Sequence, residues 1–347
     1  MSNHTSPDLF LHPDFDDHEN VCFVTDSALG LRAIIAIHRH GEMFAAGGIR
    51  MYPYADTQAA LRDVLRLSRA MTYKLAVAGL PVGGAKSVIV GDPDVDKTAG
   101  LLTAFAGAVD RLGGSYRCGC DVGINADDLS IIRDHTAYTP PARLGDLAIP
   151  TATGVYHAIR AGVEFALGKG SLEGVSVAVQ GLGQVGARLC KMLAADGCRL
   201  VAADVDASRS SAVAEDSGVT IVSPHEILAA DVDVLSPCAL GGALSRDSLP
   251  EIRAKVICGA ANNQLAAPGI DHALSTAGIL YVPDFVANAG GVIGGLQVDC
   301  GYDENESADR VSAIYDSVQA ILGLAAESGT STNVAAERFA RQILDAK

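Results

Sequence analysis

Two lysines and one aspartate stand in stretches where charged side chains are unusual. Lys74 closes the segment MTYK, Lys86 follows the glycine-rich turn GLPVGGA, and Asp121 precedes a glycine in CGCDVG. Lysines are ordinarily solvated, but the neighbours of these two are mostly apolar residues or glycine, which indicates partial burial. Two ammonium groups in one desolvated cleft cannot both stay charged cheaply, so one should have a lowered pKa. The sequence therefore predicts a lysine general base or nucleophile, with Asp121 able to reach the same cleft.

A second candidate site is the segment GLGQVG (181–186), which has the pattern GxGxxG. It follows a predicted strand and opens a predicted helix, the context that makes this pattern specific for a dinucleotide. Gly181 would permit a tight turn, Gly183 would let a pyrophosphate approach the backbone, and Gly186 would let helix and strand pack closely. The unpaired N–H groups of the helix N-terminus would then face the phosphates.

The residue that ends the following strand bears on the choice of dinucleotide. Asp204 lies about 20 residues beyond the glycine pattern, where a carboxylate accepts hydrogen bonds from the adenosine ribose. A carboxylate repels a 2′-phosphate, so the sequence favours NAD over NADP. Arg209 is close enough in sequence to leave that preference open.

The predicted strands and helices that must position these residues follow a different pattern in each half of the chain. In the first half, the apolar run LRAIIAIH (31–38) and SVIV (87–90) predict buried strands, and residues 56–72 and 100–112 predict helices. In the second half, a helix from the glycine pattern to about residue 196 lies among strands predicted at 175–180, 199–204, 231–239 and 255–261. That alternation is typical of a parallel, doubly wound sheet.

A proline-rich segment, TPPARLGDLAIPT (139–151), breaks the periodicity and is the predicted domain boundary. The sequence thus predicts an α/β protein with an N-terminal substrate and catalytic domain over 1–145. A C-terminal Rossmann-type NAD-binding domain follows over 146–324. Residues 325–347 are expected to pack back on the first domain, and the reaction is expected in a cleft between the two domains.

Composition excludes several classes of function. The formal net charge is −15 and no run of lysine or arginine is present, so nucleic acid is not an expected partner. The longest apolar runs are strand-sized, no secretory start is visible, and the eight cysteines form no disulfide framework, so we expect a cytoplasmic, reduced protein away from membranes. Cys118-Gly-Cys120 and His38-Arg-His40 lack further ligands nearby, so no metal is expected and the two histidines are predicted at the surface.

Taken together, the motifs resemble the leucine, phenylalanine, valine and tryptophan dehydrogenases, which are relatives of glutamate dehydrogenase. The resemblance runs in order over nearly the whole chain. It is carried by GGIR (47–50), MTYK (71–74), GLPVGGAK (79–86), DVG (121–123), TATGV (151–155), QGLGQVG (180–186), SPCALGG (236–242), GAANNQ (259–264) and PDFVANAGG (283–291).

The resemblance implies roles for the lysines and the aspartate. Lys74 would bind the substrate carboxylate and Lys86 would be the base that activates water. Asp121 would assist proton transfer and hold the amine. Gly48, in the GGIR segment, would belong to the substrate site.

For the second domain, the resemblance implies the remaining contacts to cofactor and substrate. Asn262 and Asn288 would lie beside the nicotinamide and the substrate amine. The other residues expected along the cofactor are Thr151, Gln184, Val185, Pro237, Cys238 and Ala239. The implied activity is reversible, NAD-dependent oxidative deamination of an L-amino acid to a 2-oxo acid and ammonia, in a homo-oligomer.

Three positions bear on the amino acid. Glutamate dehydrogenases carry a lysine before the Gly-Gly-x-Arg turn, whereas this chain has Ala46, so an apolar substrate is expected. Gly119 has no side chain, and Gly294-Gly295 stand where leucine-preferring relatives place a bulky residue. Each missing side chain would enlarge the pocket, which favours phenylalanine or tryptophan. Ordinary turn chemistry is the competing explanation for these glycines.

Other interpretations stay open. Leucine or valine is the alternative substrate, because one methylene is worth only about 1–3 kcal/mol of discrimination and because the departures GEMFAAGG and GGAK could reshape the pocket. An inactive NAD-binding sensor is an alternative of another class, opposed by the joint presence of Lys74, Lys86, Asp121 and Asn262. A 2-hydroxy-acid dehydrogenase would need a histidine base in a glycine-rich cleft, and no histidine here has that setting.

Overall fold

The computed structural model describes residues 9–142 and 145–346, and the chain divides into two units. The first unit runs through Ala76 and resumes at Leu80. The second unit takes in Val77–Gly79 and the chain from Gly145 onward. Each unit has its own sheet and its own apolar core. The α/β fold class predicted from the sequence is confirmed.

The first unit contains five strands and three α-helices among its described residues. In chain order they are β1 (Asn20–Asp26), β2 (Leu31–Ile37), β3 (Ala45–Tyr52), α1 (Thr57–Val77), β4 (Gly83–Val90), α2 (Ala99–Asp110), β5 (Tyr116–Cys120) and α3 (Ala126–Arg133). The strand order is β1-β2-β4-β3-β5. Strands β3, β4 and β5 run parallel to one another, while β2 is antiparallel to both β1 and β4.

Helices cover both faces of this sheet, which explains the continuous apolar run of β2. Ile35 and Ile37 belong to the core cluster that includes residues of α2. Ile34 and Ala36 point to the opposite face and pack with α1. A strand that is buried on both faces has an uninterrupted run of apolar residues, because neither face alternates with polar residues that contact solvent.

Two boundaries differ from the prediction. Helix α1 continues five residues past the predicted end at 72 because its last turns stay packed: Leu75 is fully buried. Strand β4 begins at Gly83 rather than 87, so the predicted glycine turn is already strand. A Cβ on Gly83 would lie 1.9 Å from the carbonyl oxygen of Arg39, and one on Gly84 would lie 2.0 Å from the backbone nitrogen of Thr72. Only glycine lets these backbones approach so closely.

The second unit contains six strands and nine α-helices among its described residues. In chain order they are α4 (Ala148–Leu167), β6 (Ser176–Gln180), α5 (Gln184–Ala195), β7 (Arg199–Ala203), α6 (Ala207–Ser217), β8 (Thr220–Ile221), β9 (Val234–Pro237), β10 (Val256–Ile257), α7 (Ile270–Thr276), β11 (Leu280–Tyr281), α8 (Asp284–Ala287), α9 (Gly290–Leu296), α10 (Glu304–Ser312), α11 (Ile314–Ser328) and α12 (Thr332–Asp345). All six strands are parallel, in the order β11-β10-β9-β6-β7-β8. Counted from β6, this is the 3-2-1-4-5-6 order of doubly wound dinucleotide-binding folds.

Three features of the second unit differ from the sequence-based expectation. Helix α4 starts inside the proline-rich segment, where Pro150 occupies the first turn and needs no N–H donor. Residues 311–322, whose apolar residues have helical spacing and predict a single helix, are split at Ala313 into α10 and α11. Residues from 325 onward do not group with the first unit: Thr332 at the start of α12 donates a hydrogen bond to the carbonyl oxygen of Tyr281 in β11.

Candidate active site

Lys86 is placed in the middle of the first sheet by its position on β4. Its side chain lies beside Gly48 of β3, which in turn pairs with Gly119 of β5. Asp121 follows directly after β5. These residues share one face of the sheet because neighbours in paired strands and residues two apart on a strand point the same way.

Lys86 and Asp121 form a buried ion pair. The Lys86 Nζ lies 3.0 Å from the Asp121 Oδ2, with the two side chains 7% and 23% exposed. Burial lowers the pKa of Lys86, and attraction to Asp121 opposes but does not cancel that effect. Burial would also oppose ionisation of Asp121, but the cations of Lys86 and Arg50 outweigh it and lower the pKa of Asp121. The pair therefore combines a firmly ionised carboxylate with an amine that is easier to deprotonate than a solvated lysine.

Gly48 makes this pair sterically possible. A Cβ at this position would lie 2.8 Å from the Asp121 Cβ, 2.8 Å from the carbonyl oxygen of Cys120 and 3.2 Å from the Lys86 Nζ. The space that a side chain would fill is thus occupied by the ion pair. Gly48, predicted as part of the substrate site, borders this ion pair directly.

Sequence reasoning did not single out Arg50 or Asp63. Arg50 Nε donates to the same Asp121 Oδ2 at 3.0 Å, and its Nη1 donates to the Asp63 Oδ2 of α1 at 3.0 Å. Attraction to these two carboxylates outweighs burial and raises the pKa of Arg50. The GGIR motif contained the arginine, but nothing local in the sequence indicates which carboxylates it meets.

Lys74 lies in the last turn of α1 and is half-buried. Two residues earlier, Thr72 touches the backbone of Gly84. The end of α1 therefore lies against β4 within two residues of Lys86. This places the predicted carboxylate-binding lysine in the same part of the first unit as the ion pair.

Ala46 and Gly119 are on the face of the sheet that carries Lys86. Among the described residues other than its chain neighbours, the nearest atom to a Cβ built at Gly119 is the Cγ of Pro140, at 3.9 Å, an ordinary contact distance. Ala46 is buried and pairs in register with Arg117. Arg117 therefore places a cation on the strand next to Ala46, and its guanidinium lies 4.9 Å from the ring centroid of Phe44.

The glycine pattern in the second unit has the geometry expected of a pyrophosphate loop. Gly181 has a φ of 94°, and a Cβ on Gly186 would lie 1.9 Å from the carbonyl oxygen of Gly181. Gly183 precedes α5, and no heavy atom in the described part of the chain lies within 4 Å of its Cβ position. Gln184 and Val185 form the first turn of α5, where N–H groups lack helical partners. The loop leaves open space at the end of a helix that attracts anions.

Asp204 is tied to this loop. Its Oδ2 accepts a hydrogen bond from the backbone N–H of Leu182 at 2.6 Å, and its Oδ1 accepts one from Asp206 at 2.8 Å. The carboxylate thus fixes the turn, while each oxygen keeps capacity for a further donor.

The end of β9 completes the loop's surroundings. β9 ends at Pro237, the N–H of Cys238 donates to the carbonyl oxygen of Gln180 at 2.7 Å, and Ala239 packs on Gly181. The three residues predicted to lie along the cofactor, Pro237, Cys238 and Ala239, are therefore beside the glycine pattern.

The two predicted asparagines meet each other. Asn288 Nδ2 donates to Asn262 Oδ1 at 2.8 Å and to the carbonyl oxygen of Ala260 at 3.0 Å. Gln264, not predicted, is fully buried and donates from Nε2 to the carbonyl oxygens of Gly259 and Ala261. It shapes the turn that presents Asn262.

The glycines of α9 pack against the start of α4. Thr151 Oγ1 donates to the carbonyl oxygen of Leu147 and would lie 2.6 Å from a Cβ on Gly291. A Cβ on Gly294 would lie 2.9 Å from the Cγ of Pro150, so that space is filled by the protein and does not enlarge a pocket. Gly295 faces the Cδ1 of Leu147 at 3.7 Å, an ordinary contact distance. Close helix packing accounts for Gly294.

Two family models match this chain. Residues 18–138 match the family model for the Glu/Leu/Phe/Val dehydrogenase dimerisation domain, and residues 204–296 match that for Glutamate/Leucine/Phenylalanine/Valine dehydrogenase. The chain belongs to this amino-acid dehydrogenase family. It is therefore an oxidoreductase.

Relatives within the amino-acid dehydrogenase family span nearly the whole chain. A valine dehydrogenase from Streptomyces virginiae is 43% identical, covering 95% of each chain. A leucine dehydrogenase from Bacillus cereus is 39% identical over 96% of this chain and 93% of its own. The crystal structure of L-tryptophan dehydrogenase from Nostoc punctiforme has a TM-score of 0.86 at 42% identity, covering 94% of this chain and 96% of that one.

Within the described residues, no group of three or more His, Cys, Asp or Glu side chains is arranged to hold a metal ion. Nor does any described helix combine the length and apolar character needed to cross a bilayer. All eight cysteines are unbridged, including Cys118 and Cys120.

Proposed function

We propose that this dehydrogenase oxidatively deaminates an apolar L-amino acid with NAD, using Lys86 as the general base. One observation carries the proposal: a buried amine is held 3.0 Å from an ionised carboxylate, beside a glycine that leaves the space around them. Such a pair provides an amine that loses its proton more readily than a solvated lysine and a carboxylate that accepts a hydrogen bond from the substrate amino group.

The chemistry assigns each charged group one task. NAD, when bound, accepts the hydride that leaves the α-carbon of the substrate. The Lys74 ammonium binds the substrate carboxylate and fixes the α-carbon. Asp121 accepts a hydrogen bond from the amino group. Neutral Lys86 takes a proton from the water that adds to the iminium carbon and returns it to the amino nitrogen of the carbinolamine. Lys86 then accepts the hydroxyl proton as the carbon–nitrogen bond breaks, which gives the 2-oxo acid and ammonia.

Residues of the second unit fit the cofactor. Gly181, Gly183 and Gly186 leave room for a pyrophosphate at the start of α5. Asp204 keeps acceptor capacity for the ribose hydroxyls, and its charge disfavours a 2′-phosphate. Arg209 pairs with the carboxylate of Asp206 at 3.5 Å, so its charge has an anionic partner within the protein.

The side-chain preference that we propose is aromatic, phenylalanine or tryptophan, with leucine and valine as the alternative. Room at Gly119 supports a large side chain, and the likeness to a tryptophan dehydrogenase supports it too. The space at Gly294 that Pro150 fills, and the likeness to valine and leucine dehydrogenases, favour the smaller substrates. A homo-oligomer formed through the first unit is proposed from the match to a dimerisation-domain family model.

The base role is tested by Lys86→Ala, assayed by NADH absorbance with NAD and the best amino-acid substrate. We expect kcat to fall at least 10³-fold, since general base catalysis contributes about 10²–10⁴-fold, while NAD binding by calorimetry is unchanged. Lys86→Arg should be equally inactive because a guanidinium keeps the charge but does not deprotonate. Lys255→Ala removes an exposed lysine that pairs with Asp233 and serves as the control. Near-normal turnover in Lys86→Ala would remove Lys86 from this role.

The side-chain preference is tested by kcat/KM for L-phenylalanine, L-tryptophan, L-leucine and L-valine, with L-glutamate included because of Arg117. We expect the aromatic substrates to lead. Gly119→Val should then lower kcat/KM for them by about tenfold relative to valine, since the added side chain takes up the room beside Pro140. A wild-type preference for valine would select the alternative, and a preference for glutamate would reject both.

A further inference from the structure

Arg50 connects the predicted base to helix α1 through two carboxylates. Its Nε and Nη1 donate to Asp121 and Asp63, each at 3.0 Å, and its side chain is only 18% exposed. The Tyr54 hydroxyl donates to the same Asp63 oxygen at 2.5 Å. A planar guanidinium can reach two carboxylates in fixed directions, which the point charge of a lysine cannot do.

Arg50 and Lys86 share a single acceptor. Both donate to the Oδ2 of Asp121, at 3.0 Å each. Because both cations share this oxygen, the interaction of Asp121 with Arg50 competes with the interaction that holds Lys86 as an ammonium. The Arg50 cation also repels an ammonium at Lys86, while Asp63 acts in the opposite direction. Asp121 and Asp63 thus favour the charged form of Lys86, whereas Arg50 favours the neutral form.

We propose that Arg50 is a positioning residue that fixes the Asp121 carboxylate and prevents it from trapping Lys86 in its charged form. This inference rests on the proposed role of Lys86 as base. Arg50 itself touches neither substrate nor reacting atoms in this scheme. It acts through the orientation of Asp121 and through its own charge.

The test compares Arg50→Gln with wild type in the pH profile of kcat/KM for deamination. Without the Arg50 cation, Asp121 interacts with Lys86 alone and stabilises its ammonium form more strongly. Lys86 should then lose its proton at higher pH, so the acidic limb of the profile should move to higher pH. We expect a shift of about 0.5–1 unit, at the low end of what one nearby charge produces because the site is partly exposed. On that limb, rates would fall about three- to tenfold beyond any loss seen at alkaline pH.

Two further variants separate charge from geometry. Arg50→Lys keeps the cation but loses the two-carboxylate fork, so kcat should fall while the acidic limb stays near its wild-type position. Asp63→Asn keeps an oxygen for Arg50 but removes a negative charge, so the limb should move to lower pH. Arg62→Gln removes an exposed arginine of α1 next to Asp63 and should leave the limb in place.

A uniform loss of rate in Arg50→Gln, with the limb unmoved, would overturn the inference and leave Arg50 a purely structural residue. A limb that moves to lower pH would overturn it too. A second readout does not depend on activity: the pH dependence of Lys86 labelling by an amine-reactive reagent, followed by mass spectrometry. If Lys86→Ala keeps its turnover, the proposed base role fails, and the labelling shift in Arg50→Gln still decides whether Arg50 controls the charge of Lys86.

Discussion

At the scale of single residues, the chemistry depends on one row across three strands. Lys86 on β4, Gly48 on β3 and Gly119 on β5 stand side by side, and Asp121 reaches Lys86 across the gap at Gly48. A side chain at Gly48 would occupy the position of the ion pair. The absence of a Cβ is therefore as much a part of the site as the charged groups.

Replacing Gly48 by alanine should disable the pair without removing any charge. The new methyl group would lie 2.8 Å from the Cys120 carbonyl oxygen, a strand backbone atom that cannot move freely, and from the Asp121 Cβ. We expect Asp121 to be displaced from Lys86 and kcat to fall about 10²-fold, the usual cost of an ångström of misplacement. Steady-state kinetics with saturating substrate and NAD would measure it.

The matched control is Gly323→Ala in helix α11, where no described atom lies within 4 Å of the new Cβ. That variant should keep full activity and unfold at an equal or higher temperature, since alanine favours a helix interior by about 1 kcal/mol. Wild-type kcat in Gly48→Ala would show that the Lys86–Asp121 contact is unnecessary.

At the scale of elements, α1 serves both the site and the burial of two histidines. His38, predicted at the surface, is 2% exposed because the end of β2 is covered by α1, and its Nδ1 lies 2.9 Å from Thr72 Oγ1. His40 remains exposed and pairs with Glu19. The ring of His18 meets that of His38 edge-on at 4.8 Å. Strand alternation alone could not show that a helix covers one histidine and spares the other.

Both buried histidines are neutral in the folded protein. Burial, then the proximity of a second histidine, lowers the pKa of His38 to about 4, against some support for its charged form from Asp16. Burial likewise lowers the pKa of His18. The neutral His18 is satisfied on both nitrogens, since Nδ1 accepts from the Asp16 N–H and Nε2 donates to the carbonyl oxygen of Leu65. Protonation would remove the first of these bonds.

This pair predicts loss of stability in mild acid. The unfolded chain binds protons near the ordinary histidine pKa of 6.5, whereas the folded chain resists them down to about 4 at His38. The unfolded state therefore gains protons first as pH falls below 6.5. Each such histidine then costs up to about 1.4 kcal/mol of unfolding free energy per pH unit. Urea unfolding at pH 8, 7, 6 and 5 would measure the slope.

In the variant His38→Gln, the unfolding free energy should depend less steeply on pH between pH 6.5 and 5. The difference should correspond to the uptake of up to one proton fewer on unfolding. His225→Gln, at an exposed position, provides the comparison and should leave the slope unchanged. An identical slope in His38→Gln and wild type would mean that His38 takes up its proton equally well in both states.

At the scale of the whole molecule, the residues that we propose for the chemistry are distributed over two units, each with its own sheet and core. The first unit carries the lysines, Asp121 and Arg50, and the second carries the glycine loop, Asp204 and the paired asparagines. The first sheet is mixed, while the second is wholly parallel with the strand order of dinucleotide-binding folds. The net charge of −15 suits a small-molecule enzyme and opposes binding to nucleic acid.

The sequence by itself determined the fold class and the family, and it predicted the types of residue that we propose do the chemistry. These properties are local: a glycine pattern between strand and helix, lysines among apolar neighbours, and an ordered series of motifs are all visible in a linear chain. Helix α4 was missed because Pro150 resembles a break, although a first turn tolerates proline.

Only the tertiary structure decided which charged side chains pair and beside which glycines the space of a missing side chain is open. Arg50, Asp63 and Asp121 are far apart along the chain and come together because β3, α1 and β5 are neighbours in one unit. Gly119 and Gly294 both lack a side chain, yet the first leaves room and the second is filled by Pro150. Distance and packing depend on strand order and helix contacts, which residue type and spacing do not encode.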